Sequence, residues 1–338
     1  MKIIVTHGSP DLDAITSVWL IKRFLPGWED ANIQFVPAGE RIGKSAEVAS
    51  ENFRVHNADN FPSKSNANGA NAYSENFASS PRNAIEKIGD DEIIHVDTGL
   101  GPLDHHQTPD TNVCAASLTL DFIKRTNNKQ QSTVNKDKME AIGRMVKVVV
   151  DVDHFKEVFW KDSTADYHEF SLVGILDGLK IQKPDQDEHY VDFVVQCLDA
   201  ILHEFENRIW AEREIVEKGK KFKTRFGRGI GFETINDTVI KLSQKMGYVI
   251  VVRKDPRKGY VRIKATPLKL KVKSEKLKVQ YADIDLTLAY EKLKKMDPDA
   301  TWFLHVGRKM LLNGSVKNPK MRPTKLSLSD IIKVLEKN

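Results

Sequence analysis

The sequence predicts an α/β protein: an N-terminal domain built on a parallel sheet with helices on both faces, a helical linker, and a smaller α+β domain at the C-terminal end. Three observations lead there. The run KIIVT at 2–6 is short, apolar and β-branched, and it stops at His7-Gly8-Ser9-Pro10 as a buried strand does. A helical period follows, with Ile15, Val18, Trp19, Ile21 and Leu25 on one face until Pro26-Gly27, and IQFVP at 33–37 reads as the next strand. Beyond residue 227 the texture changes to short alternating strands. Strand, loop, helix, strand is a βαβ unit, which implies parallel pairing and a ligand site at the strand C-termini.

The remaining elements are read in order. Residues 56–83 (HNADNFPSKSNANGANAYSENFASSPRN) hold almost no aliphatic side chains and read as a mobile insertion over the site. EIIHV at 92–96 is a strand that delivers Asp97, and the loop Leu103-Asp104-His105-His106-Gln107 follows it. Helices are expected over about 113–126 and 137–150, the second carrying Asp151 and Asp153 at its end. A long helical stretch over about 188–225 has apolar positions three and four apart and suits an interdomain connector, with a homodimer surface as a further use. Gly227-x-Gly229-x-Gly231 does not follow a strand and open a helix, so it reads as a hinge and not as a dinucleotide loop. TVIKL, YVIVVRK and YVRIKAT read as strands, LKLKVK as a strand with Lys269, Lys271 and Lys273 on one face, 286–296 as a helix, 301–306 as a strand, and the C-terminus as a last helix. These elements set domains at 1–185, catalytic, 186–228, connecting, and 229–338, basic.

Composition bounds the function. With 338 residues, 40% hydrophobic and 29% charged, the chain has the make-up of a globular two-domain protein. No run of 18 apolar residues reads as a membrane span, and MKIIVTHG does not read as a signal peptide, so the expected location is cytoplasmic. Cys114 and Cys197 form no CxxC pair and suit a reducing compartment as two small apolar side chains. The net charge of +5 is unevenly spread, since residues 251–338 hold 22 Lys and Arg against 9 Asp and Glu. The first 250 residues are acidic. This division suits carboxylates that hold cations in one half and groups that attract phosphate in the other.

His7-x-x-x-Asp11-x-Asp13 lies just past the first strand and supplies one imidazole and two carboxylates within seven residues. Those are ligands for Mn²⁺ or Mg²⁺, with no thiolate to favour zinc. Either Asp taken alone is equally well read as a cap for the helix that follows. The second cluster, Asp97 with Asp104-His105-His106, makes a joint pattern that capping does not explain.

The two clusters together resemble the DHH phosphoesterase superfamily, named for its Asp-His-His motif, and the DHHQ form at 104–107 is similar to a branch with metal-dependent exonucleases. The motif match covers roughly residues 1–155. The resemblance implies two divalent cations, Mn²⁺ before Mg²⁺. It puts His7 and Asp11 on the first, Asp13 and His105 on the second, and Asp97 bridging both. A further Asp, Asp151 or Asp153, is implied for the second cation, with Asp104 orienting a ligand histidine and His106, beside Gln107, facing the phosphate. Many members carry a Gly-Gly-Gly-His substrate loop that this sequence lacks. In its place stand Arg308, Lys309, Asn313-Gly314-Ser315, Lys317, Lys320 and Arg322, a Gly-Ser turn with cations suited to phosphate. The implied reaction is hydrolysis of phosphodiesters in short single-stranded RNA or DNA. The alternatives are a small phosphate substrate, such as a nucleotide, a cyclic dinucleotide or pyrophosphate, and a catalytically idle binding protein on the same scaffold.

Overall fold

The computed structural model describes residues 1–42, 84–127, 136–267, 270–274, 277–315 and 318–337. The insertion expected at 56–83, Lys269 and Lys317 lie outside them. The protein is mixed α/β, with eight α-helices and two mixed sheets among the described residues. It divides into two compact units, Met1–Phe205 and Glu206–Asn338. No described helix is long and apolar enough to cross a membrane.

In the first unit, β1 (Lys2–His7) lies between β2 (Asn32–Val36) and β4 (Asp91–His95), parallel to both. The fourth strand, β3 (Glu86–Ile88), pairs antiparallel with β4. The sheet is therefore mixed, not purely parallel. Its reason is a tight turn at Gly89-Asp90, where Gly89 takes φ +61°, a conformation glycine adopts without strain and that a two-residue hairpin needs. Register places His7 opposite Val36, at the C-terminal edge of the sheet. The helix α1 (Leu12–Phe24) starts where Asp11 accepts a hydrogen bond from the Ala14 N–H, and every residue from Leu12 to Ile21 is buried. It packs against α2 (Ala115–Asn127) and α3 (Lys136–Asp153), the two helices expected near 113–126 and 137–150. The helices α4 (Leu172–Gln182) and α5 (Asp187–Glu217) follow, the residues of α5 from Glu206 onward belonging to the second unit.

The stretch read as helix to residue 225 stops at Glu217. At Gly219 a Cβ would come within 2.4 Å of Ile230 and 2.7 Å of the Ile215 carbonyl, so the chain passes a point only glycine fits and turns into β5 (Lys220–Thr224). The glycine triplet is not a hinge. It lies within β6 (Gly227–Glu233), paired antiparallel with β5 and parallel with β7 (Ile250–Lys254), and a Cβ on Gly229 would sit 2.3 Å from the Phe222 ring. TVIKL is not a strand either. It opens α6 (Thr238–Lys245), which buries Val239, Ile240, Leu242 and Ser243 at helical spacing. The six-stranded sheet of this second unit runs β11 (Trp302–Leu304), β12 (Met310–Asn313), β8 (Val261–Ala265), β7, β6, β5. A separate antiparallel pair joins β9 (Leu270–Ser274) to β10 (Leu277–Ala282). The core joins Ile250, Val252, Ile263 and Leu311 to α7 (Thr287–Met296) and to α8 (Leu328–Glu336), which opens on a Ser327–Asp330 capping box.

Candidate metal centre

Four segments of the first unit meet at one place: the end of β1 with the start of α1, the loop after β4, the start of α2, and the end of α3. Asp97 is at the centre, 2% exposed. Its Oδ2 lies 3.3 Å from His7 Nε2 and its Oδ1 lies 3.5 Å from His105 Nδ1. His7, Asp11 and Asp97 can offer one ligand atom each within 4.8 Å of one another. On the other side, His105 Nδ1 is 3.6 Å from Asp13 Oδ2 and His105 Nε2 is 3.2 Å from Asp153 Oδ2. The structure thus brings together His7, Asp11, Asp13, Asp97, His105 and Asp153.

The backbone makes this possible. Asp97, Gly99 and Leu100 all have φ between +50° and +80°, so the chain reverses sharply after β4. Asp and Gly tolerate that region far better than branched residues. Asp104, 1% exposed, ties the loop together: one oxygen accepts from the Leu100 N–H at 2.8 Å, and the other accepts from the His106 N–H at 3.0 Å and faces His106 Nδ1 at 2.7 Å. Asp104 therefore orients His106 and not the ligand-type His105. Burial opposes ionisation of Asp104, but His106 and these backbone donors outweigh it and hold its carboxyl below the usual range. The hydrogen bond with Asp104 in turn raises His106, whose side chain stays 58% exposed and stacks on His105 with centroids 4.4 Å apart. Gln107 is turned back on its own loop, its Nε2 donating to the Gly101 carbonyl.

Asp11 caps α1 as its plainer reading expected, through one oxygen. Asp13 does not cap α1. Its two oxygens accept the Ala115 and Ala116 N–H groups, both at 2.7 Å, and so cap α2 from about a hundred residues away. Burial, with Asp97 and Asp153 beside it, pushes Asp13 well above the usual carboxylate value. Burial also raises Asp153, in spite of His105. For Asp97, burial is outweighed by His105 and His7, and its carboxyl is lowered to about 2. The histidines answer in kind: Asp97 lifts His105 to about 9, and at His7 burial is overcome by Asp97 and the Gly8 carbonyl, giving about 9.

Of the two candidates on α3, Asp153 reaches the site and Asp151 does not: among the described residues, Asp151 belongs to no cluster able to hold a metal. Two residues apart on a helix are about 200° apart around its axis, so only one can face the loop. The sequence reading missed His154. It forms a cluster with His105 and Asp153, lies 3.5 Å from Asp153 Oδ2 and contacts the Val113 carbonyl at 2.8 Å. Its signal was adjacency, since it follows Asp153 directly. Cys114 is buried beside Asp13, and burial pushes its thiol up.

Do these residues fit cations? Asp97 Oδ1, His105 Nδ1 and Asp153 Oδ2 are all buried and all lack a hydrogen-bond partner. Leaving such atoms without partners is costly, and their convergence suits a shared cation. Imidazole and carboxylate donors without thiolate suit Mn²⁺ or Mg²⁺. The donor set fits.

The residues expected to bind substrate in the second unit divide. Asn313 is fully buried and spends its side chain inside the protein, donating to the Thr301 and Arg322 carbonyls and accepting from the Thr324 N–H. It cannot touch a ligand. Gly314 is likewise buried, with φ +74° and a Cβ position 2.0 Å from the Tyr260 ring, so it is there to let that ring pack. Arg308 is paired with Asp285 at 2.9 Å and Lys309 with Asp283, which offsets both charges. Ser315 bridges to Asn318, and Lys320 and Arg322 are exposed.

No family model matches the chain, and no curated protein matches it. Among solved structures it is similar to an uncharacterized protein from Helicobacter pylori G27, at 14% identity over 100% of this chain and 99% of that one. The TM-score is 0.21, too low to carry an argument about fold or activity.

Proposed function

We propose that the protein is a two-metal phosphoesterase of the DHH type that hydrolyses phosphodiester bonds in short single-stranded nucleic acid. The observation that carries this reading is the position of Asp97, with one oxygen beside His7 and the other beside His105. A carboxylate so placed suits a bridge between two cations. His7, Asp11 and Asp97 would hold one, and Asp13, Asp97, His105 and Asp153 the other. When bound, such a pair supplies a metal-activated water and neutralises phosphate oxygens.

The chain's own groups do the rest. Asp13 stays within reach of His105 because the α2 N–H groups fix both of its oxygens, each of which keeps a lone pair free. Asp104 holds the His106 ring by Nδ1 and favours its charged form. That leaves the His106 Nε2–H to donate to a phosphate oxygen as negative charge grows on it. No Ser or Cys nucleophile is required. In the second unit, the exposed Lys320 and Arg322 are the groups left to meet a nucleic-acid backbone.

The test is hydrolysis measured with Mn²⁺ across a short single-stranded RNA, a cyclic dinucleotide, a bisphosphonucleoside and pyrophosphate. Metal-dependent turnover of the RNA, abolished by chelation, is the expected result. Turnover of pyrophosphate alone would move the substrate to small phosphates. No turnover of any substrate above the metal-only blank would refute the enzymatic reading.

A further inference from the structure

Next to the proposed metal centre, the first unit forms an open pocket of about 470 Å³ that the phosphoesterase reading does not use. It shares side chains with the segments that carry the ligands. Leu12 stands between Asp11 and Asp13, and Val149 and Val152 lie on the last turns of α3 before Asp153. Trp160, Leu198 and Phe205 complete much of its apolar wall. A mostly apolar hollow of this size lies within the range of small-molecule pockets.

Its carboxylates, Glu157, Glu169 and Asp177, are joined by His168 in the lining, and among the described residues they have no lysine or arginine counterpart there. Glu157 Oε2 is buried and has no hydrogen-bond partner. A buried carboxylate oxygen without a donor needs one, and nothing in the wall supplies it. Trp160 and His168 present their rings 6.2 Å apart, tilted by 37°, and an indole face attracts cations as well as apolar bodies.

We propose that this cavity binds a small molecule with an apolar or aromatic body and a single amine, the body held against Leu12, Val149 and Trp160 and the amine donating to Glu157. An anionic ligand of the same shape is rejected, because it brings a further negative charge to a wall that already holds three carboxylates. The site is separate from the metal centre and does not depend on what that centre hydrolyses.

The experiment uses the full chain and a matched pair of probes, naphthylethylamine and naphthylacetate, titrated by calorimetry with and without Mn²⁺. Saturable one-to-one binding of the amine is expected, at least about tenfold tighter than the acid, a preference of about 1.4 kcal/mol. Tryptophan fluorescence should respond to the amine, and Trp160→Phe should remove most of that response. The near-isosteric Glu157→Gln should abolish the preference for amine over acid, and its unchanged thermal unfolding would show that the fold is intact. Equal binding of the two probes, a preference that survives Glu157→Gln, or no saturable binding would each overturn the proposal. So would displacement of the amine by Mn²⁺, which would put it among the carboxylates of the metal centre.

Discussion

Asp97→Asn isolates the proposed bridging charge from everything else the residue does. Asp97 has φ +53°, a conformation that asparagine adopts as readily as aspartate, so the backbone turn survives the change. Asp97→Ala would add backbone strain and confuse the result. In the metal-free protein, Asp97 is held at about 2 against an ordinary 3.8 by His105 and His7, which is worth about 2 kcal/mol of favourable interaction. Losing it lowers the stability of the first unit by about that amount. The larger effect concerns the metal. At a Mn²⁺ concentration a hundred times its dissociation constant, each bound ion stabilises the folded state by about 2.7 kcal/mol, which for a unit of this size raises Tm by roughly 5–10 °C per ion. The assay is thermal unfolding with and without Mn²⁺, following the metal-sensitive transition, together with a count of bound Mn²⁺ after equilibrium dialysis. The wild type should gain the increment and hold two ions. Asp97→Asn should lose most of the increment, hold one ion or none, and fall below about a tenth of wild-type kcat, a loss of at least about 1.4 kcal/mol in the barrier. If the variant keeps both the second ion and the full rise in Tm, Asp97 is not a bridge and the two-metal reading fails.

Three further expectations follow from the same geometry. His106→Ala should leave two Mn²⁺ bound while kcat falls roughly a hundredfold, since its ring is tied to Asp104 and its proposed role is to donate to the phosphate; a lost ion would instead make it a ligand. Gly229→Ala drives a methyl into the buried Phe222 ring and should destabilise the second unit by about 1–3 kcal/mol, seen as a lower midpoint in urea; a neutral result would restore the hinge. Asp297, buried and lowered by hydrogen bonds from the Thr324 hydroxyl and the Lys325 N–H, contributes stability that is complete above its ordinary 3.8 and lost as pH falls through its lower folded value. Asp297→Ala should therefore cost about 2 kcal/mol at neutral pH and flatten the acid dependence of the second unit's unfolding, as pH-stepped melts would show.

What could be read from the sequence, and what could not, divides along the range of the interaction involved. β1, its loop and α1 were legible because each signal is local: a β-branched run, a Ser-Pro stop, and an Asp that caps the helix three residues on. The same local logic failed at Thr238–Lys245, where β-branched Val239 and Ile240 suggested a strand. Burial there falls at i, i+1, i+3 and i+4, which is helical. It failed again at Gly229 and Gly231, where the absent side chains make room for Phe222 and for Ile332, partners that sequence spacing does not reveal.

The metal centre shows the same division within a single residue. That Asp13 matters was visible from its place in the His-x-x-x-Asp-x-Asp pattern. That it also caps α2 was not, because Ala115 and Ala116 lie more than a hundred residues away and offer only backbone. The two roles are not rivals. The N–H groups of a helix N-terminus favour a carboxylate by their partial positive charge. Here they hold a buried carboxyl group in place beside Asp97 and Asp153, which oppose its ionisation. The start of α2 thus offsets part of the cost of crowding three carboxylates, and it aims one of them at His105. A chain built only to cap α2 needs Asp13 alone. It gives no reason for Asp97, Asp153 and His105 to gather around Asp13, and the proposed cations would.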